Sequence, residues 1–176
     1  MGFAFLFYLI MSSSLPIGIF DSGIGGLTVA SAINKLLPNE QLIYFGDTAH
    51  LPYGEKSPEA IKYYSLKIAK FLMDKKCKLI VIACHTASSQ AYDDLIEFMG
   101  DRIPIVSMVD PVVDKIVTEK RYKKIGVIGT KSTIKANLYQ TKIRALNPNI
   151  EVAPLATPLL AKMIEEGFFN HQISHA

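Results

Sequence analysis

A cysteine at the carboxyl end of an apolar run, followed by three hydroxyl side chains, is the most chemically suggestive feature of this sequence. In IVIACHTASS, residues 80–89, the run 79–83 reads as a fully buried strand that delivers Cys84 at its end. Thr86, Ser88 and Ser89 are residue types that cap helices and donate hydrogen bonds, so a helix is expected from about residue 86. Ligands of open α/β sheets bind just outside the carboxyl ends of strands. A thiol there sits at the positive end of the following helix, which favours the thiolate, and Cys84 is expected to be more acidic than an ordinary cysteine. Taken alone, it reads more readily as a small buried hydrophobe.

Two other stretches carry residues of the same kind. DSGIGG, residues 21–26, has glycines at 23, 25 and 26 that allow a sharp turn and close approach of backbone to a ligand. It lacks the Lys-Ser/Thr ending of a P-loop and the spacing of a dinucleotide fingerprint, and Asp21 alone reads as a helix cap. GDTAHLPYGEKS, residues 46–57, is a polar loop in which Pro52, Tyr53 and Gly54 read by themselves as a turn. His85 by itself is a hydrogen-bonded residue at a strand end. No second His or Cys stands at ligand spacing, so a metal site is not indicated.

The elements that must position these residues alternate. Strands are expected at 16–20, 41–45, 79–83, 103–108, 124–129 and 151–155. Helices are expected at 27–37, 58–76, 86–99, 111–120, 132–146 and 159–166, with Pro58 and Pro111 at first turns. Such alternation implies an α/β fold, a parallel sheet flanked by helices. If the first three strands are parallel, the loops after them emerge on one side and gather Asp21, Ser22, Tyr53, Gly54, Cys84, His85 and Thr86 around a common mouth. Glycine-rich turns and helix starts there suit a carboxylate or phosphate.

Bulk properties are those of a soluble globular chain: 176 residues, 49% hydrophobic and 20% charged. The net charge of +3 comes without a basic cluster, so a nucleic-acid partner is not indicated. Two cysteines, Cys77 and Cys84, do not make a disulfide framework and fit a reducing compartment. The apolar run at 3–10 is too short to span a bilayer and lacks the charge and cleavage site of a signal peptide. Residues 1–11 are therefore expected to be an extension outside the fold, with an α/β domain at 12–108 and a second, partial one at 109–176.

Together the motifs resemble the cofactor-independent aspartate/glutamate racemase family. The resemblance rests on GIFDSGIGGLTV at 18–29, YFGDTAHLPYGEKS at 44–57, IACHTAS at 82–88, KKIGVIGT at 123–130 and ATPLLAKMIEEG at 156–167. It implies a racemase-type pair of domains and a cytoplasmic enzyme that interconverts L- and D-glutamate for peptidoglycan, and so for the cell wall and cell shape. It implies neither metal nor other cofactor, no membrane, glutamate as the small-molecule partner, and a homodimer as a compatible assembly. By the resemblance Cys84 matches the first of two catalytic cysteines, and Asp21 and Ser22 match a substrate-binding pair whose Asp assists the thiol. Tyr53 and Gly54, with Pro52 before them, and Thr86 match binding residues, and Glu165 matches a carboxylate brought to the site by the second domain. The chemistry suits these types: a thiolate can take a Cα proton, inversion needs one base on each face, and fixed donors stabilise the developing charge.

Two departures stand out. The family usually has Asn after the first cysteine; here it is His85, larger and able to ionise near neutrality, which can hold a substrate carboxylate or tune Cys84. The family's second cysteine motif, resembling GCTHYP, has no counterpart, so the chain is expected to be truncated. A related racemase acting on aspartate or another amino acid, and an inactive carboxylate-binding remnant, are the alternative expectations.

Overall fold

The computed structural model describes residues 14–119 and 121–168; the extension expected at 1–11 and the last residues, 169–176, lie outside them. Four parallel strands form the first sheet: β1 Ile17–Asp21, β2 Leu42–Gly46, β3 Leu79–Ile82 and β4 Ile105–Ser107, in the order β2-β1-β3-β4. Parallel neighbours need crossover connections, and helices supply them. These are α1 Leu27–Leu36, α2 Pro58–Asp74 and α3 His85–Met99. The strand side chains alternate between faces. Phe20, Ile80 and Ile82 share one core with Ile61, Ile68 and Leu72 of α2 and with Ala87, Ala91 and Leu95 of α3. Ile17, Ile19, Val81 and Ala83 point the other way, toward Val29 and Ile33 of α1. The central strands read as continuous apolar runs because both faces are covered.

Helix α2 begins as its sequence dictates. Ser57 accepts a hydrogen bond from the Ala60 N–H, and Pro58 fills the first position, where an N–H would have no partner. At the other end of the sheet's span, α3 stops at Gly100, whose φ of 53° is in the left-handed region.

After β4 the chain turns into α4 Val109–Thr118 and builds a second, two-stranded parallel sheet from β5 Lys124–Gly129 and β6 Glu151–Ala156. Its core gathers Val109 and Val113 of α4 with Tyr139, Ile143 and Ile150. The expected helix over 132–146 is two helices, α5 Lys131–Ala136 and α6 Leu138–Leu146. They break at Asn137, whose φ of 56° is left-handed, a conformation asparagine tolerates better than most residues. The last helix is α7 Leu160–Glu165. Helix α5 docks on α3, where the Gln90 amide donates to both the carbonyl and the hydroxyl of Ser132 at 3.0 Å. Among the described residues no helix is long and apolar enough to cross a membrane.

Candidate functional site

Because β1, β2 and β3 are parallel, the loops that follow them emerge at one edge of the sheet, as the sequence implies. At the end of β1 the Asp21 carboxylate turns back on its own loop and accepts hydrogen bonds from the Gly23 and Gly26 N–H groups, at 3.0 and 3.1 Å. Gly26 has to be glycine: a Cβ there would lie 2.6 Å from the Asp21 Cβ and 2.9 Å from the Ala83 Cβ. The close approach brings the start of α1 against the end of β3.

Cys84 follows β3 and is the cap of α3, its Sγ accepting from the Ala87 N–H at 3.4 Å. The thiol donates to the Ser22 hydroxyl at 3.5 Å. It is buried, and its acidity runs against the sequence expectation. Burial first, and then the negative charge of Asp21, push the thiol above the ordinary cysteine range; the Ala87 N–H and Ser22 pull the other way and are outweighed. The helix start is present, but it faces a desolvated sulfur beside a carboxylate. Cys77 lies at the opposite end of β3, buried, its Sγ 2.9 Å from where a Cβ on Gly18 would stand.

Thr86, in the first turn of α3, binds across to the second sheet. Its Oγ1 lies 3.0 Å from Thr130 Oγ1 and 3.1 Å from Thr133 Oγ1, and those two are 3.0 Å apart, closing a triangle of hydroxyls. Thr130 also caps α5, accepting from the Thr133 N–H. The Pro52–Tyr53–Gly54 turn rests on the same threonine: a Cβ on Gly54 would lie 2.6 Å from the Thr130 Cβ. Tyr53 is buried and donates its hydroxyl to Asp47 Oδ2 at 2.6 Å, while His50 Nδ1 meets Asp47 Oδ1 at 2.7 Å. Burial and the Asp47 hydrogen bond hold the Tyr53 phenol far above its usual range, so it is a neutral donor.

A cavity of about 670 Å³ opens between the sheets. Of the residues singled out in the sequence, Asp21, Ser22, Gly25, His85, Thr86 and Glu165 line it. Cys84, Pro52, Tyr53 and Gly54 do not; Cys84 sits behind Ser22, and the turn sits behind Thr130. Glu165 is exposed, on α7 at the rim. His85 faces Tyr139, ring centroids 6.3 Å apart and 19° from parallel. His85 keeps an exposed face, and partial desolvation at the cavity wall lowers its pKa against a smaller opposing pull from Asp21. Asp47, Thr130, Thr133 and Tyr139 were not singled out by sequence reasoning. Thr130 obeys the rule that exposed the others, since it directly follows a parallel strand, and Asp47 directly follows β2. Nothing local marks Tyr139, which reaches the cavity from the middle of the second unit.

The chain matches the Asp/Glu/Hydantoin racemase family over residues 17–170. It is 46% identical over 159 residues to a glutamate racemase of Geobacter metallireducens, an alignment covering 90% of this chain and 58% of that one. A glutamate racemase of Chlorobaculum tepidum is 45% identical over 161 residues, 92% of this chain and 59% of the relative. A crystal structure of glutamate racemase from Francisella tularensis subsp. tularensis SCHU S4 in complex with D-glutamate superposes with a TM-score of 0.86 at 43% identity, covering 92% of this chain and 60% of that one. The chain thus spans somewhat under two thirds of the length of these relatives. With a two-sheet α/β architecture, a thiol at the carboxyl end of β3 and a family match running through both sheets, this chain belongs to the Asp/Glu/hydantoin racemase family.

Proposed function

We propose that the cavity is the substrate site of a glutamate racemase and that Cys84 is one of its two acid/base groups. The observation that carries this reading is the Cys84 thiol set against Ser22 and beside the charge of Asp21, directly behind the cavity wall. In the reaction the Cys84 thiolate takes the proton from Cα; the C–H bond breaks, an S–H bond forms, and the electron pair passes toward the substrate carboxylate. A second acid must return a proton on the opposite face. Ser22, Thr86, the Pro52–Tyr53–Gly54 turn and His85 are assigned to substrate binding, Asp21 to binding and to assisting the thiol, and Glu165 to the far side of the cavity. Hydroxyls and N–H groups held by their own hydrogen bonds are suited to stabilising the developing charge, since they need little rearrangement. The raised thiol pKa means that Cys84 rests protonated and must first pass its proton to a neighbouring group, the assistance assigned to Asp21, before it can act as the base. The proposal extends to a cytoplasmic enzyme feeding D-glutamate to peptidoglycan, without metal or membrane and with no nucleic-acid partner. It also includes division into units 12–108 and 109–176 and assembly as a homodimer.

A second reading, carboxylate binding without inversion, is favoured by one observation: among the described residues Cys77 is the other thiol, and it lies at the opposite end of β3. Purified chain, free of host racemase, incubated with L-glutamate in deuterated water separates the readings. Loss of optical rotation together with Cα deuteration, both removed by Cys84→Ser, supports racemisation by this chain. Deuteration with retained configuration assigns Cys84 as a single working base. Binding with neither supports the second reading, and rates unchanged in Cys84→Ser would refute the assignment of the thiol. Equal or better turnover of aspartate would move the substrate to the shorter acid.

A further inference from the structure

His85 stands on the wall of the cavity, and the company it keeps there has a consequence for charge. An acidic amino acid carries two carboxylates and one ammonium near neutral pH, a net negative charge. The cavity that would receive it already holds two carboxylates, Asp21 and Glu165. No lysine or arginine stands among the described residues that line it; the neutral donors there are hydroxyls, of Ser22, Thr86, Thr130, Thr133, Tyr139 and Thr157. His85 is the one lining side chain able to become a cation at moderate pH. Its ring lies near-parallel to that of Tyr139, centroids 6.3 Å apart. Neither ring nitrogen has a hydrogen-bond partner among the described residues, so both are available to a ligand.

Resting on the reading of this cavity as a glutamate site, we propose that His85 is its titratable countercharge, taking up a proton as a substrate carboxylate binds, so that affinity rises as the pH falls. The groups that face it are Asp21 at the end of β1, the Cys84 thiol beside it, Tyr139 on α6 and, across the cavity, Glu165 on α7. Tyr139 is held neutral, its phenol pushed up to about 12 by burial and by Asp110. Partial desolvation at the cavity wall sets the imidazole pKa below its ordinary range, although the residue keeps a solvent-exposed face. A bound carboxylate adds a negative charge next to the ring and raises that pKa. The bound state then holds more protons than the free state, so binding strengthens as pH drops through the window between the two values. An asparagine at this position donates a hydrogen bond at every pH and would have no such window.

The test is calorimetric titration of the 176-residue chain with D-glutamate from pH 5.5 to 7.5, in buffers of different ionisation enthalpy. One linked proton changes affinity by at most about tenfold per pH unit, and an overall weakening of about tenfold across the range is expected. His85→Asn should bind with an affinity that no longer follows pH, and Glu165→Gln should keep the slope. NMR titration of the histidine ring in the unchanged chain provides a measurement that needs no variant: the His85 resonance should titrate at a higher pH with glutamate present than without it. Binding that ignores pH in the unchanged chain, a slope that survives His85→Asn, or a slope lost only in Glu165→Gln would overturn the role of His85 and leave the glutamate site standing. Absence of binding at every pH by both the unchanged chain and His85→Asn would overturn the glutamate site, and this inference with it.

Discussion

Replacing Gly54 with alanine tests how the two sheets are joined at the mouth of the site. Gly54 does not occupy the left-handed region, so the substitution should not strain the backbone. What it meets is Thr130: the new methyl would stand 2.6 Å from the Thr130 Cβ, 2.7 Å from its Cγ2 and 3.2 Å from its hydroxyl. Ordinary carbon contacts begin near 3.5 Å, so the threonine or the turn must move by roughly 1 Å. Overpacking of this kind costs about 1–3 kcal/mol. The movement would also open the hydroxyl triangle, since Thr130 Oγ1 holds both Thr86 and Thr133 at about 3 Å. The assay is urea unfolding of four chains: unchanged, Gly54→Ala, Thr130→Gly and the double variant. Thr130→Gly removes both clashing carbons, and glycine is a tolerable helix cap, a few tenths of a kcal/mol worse than threonine. The double variant should therefore be more stable than the sum of the single losses, by about 1 kcal/mol or more. Additive effects, or a Gly54→Ala chain as stable as the unchanged one, would show that the turn does not rest on Thr130.

Other expectations follow from the same contacts. Alkylation of Cys84 by iodoacetamide should be slow at neutral pH and should keep accelerating above the pH at which an ordinary cysteine levels off, because burial and Asp21 raise its pKa. Asp21→Asn removes that charge while leaving an oxygen for the Gly23 and Gly26 N–H groups, so it should shift the pH-rate profile toward lower pH; an unmoved profile would refute the coupling. Tyr53→Phe deprives the buried Asp47 carboxylate of its 2.6 Å partner and should cost about 1–3 kcal/mol in thermal or urea unfolding. A variant as stable as the unchanged chain would mean that His50 alone satisfies Asp47.

Most of the fold was legible because its signals are local. The apolar runs of β1 and β3, the glycine loop after β1 and Ser57-Pro58 before α2 each carry their physical reason within a few residues. The strand predicted at 124–129 is β5 as found. The expected helix over 132–146 failed at Asn137, where a left-handed residue divides it; helix propensity there is weak evidence, and packing of α5 on α3 and of α6 in the second core decides the break. The site was legible wherever a residue follows a strand, since parallel strands put all such residues at one edge.

From residue types and order alone came the parallel α/β architecture, the gathering of Asp21, Ser22 and Cys84 at one edge of the sheet, and the chemistry a thiol there can perform. Period and turn residues dictate these within short windows. Tertiary structure decided what depends on distant partners. Thr86 meets Thr130 across 44 residues of sequence and Thr133 across 47. His85 acquires Tyr139 as its neighbour from α6. The acidity of Cys84 was decided there too: its helix start is written in the sequence, but burial and the Asp21 charge exist only in the folded chain, and they outweigh it.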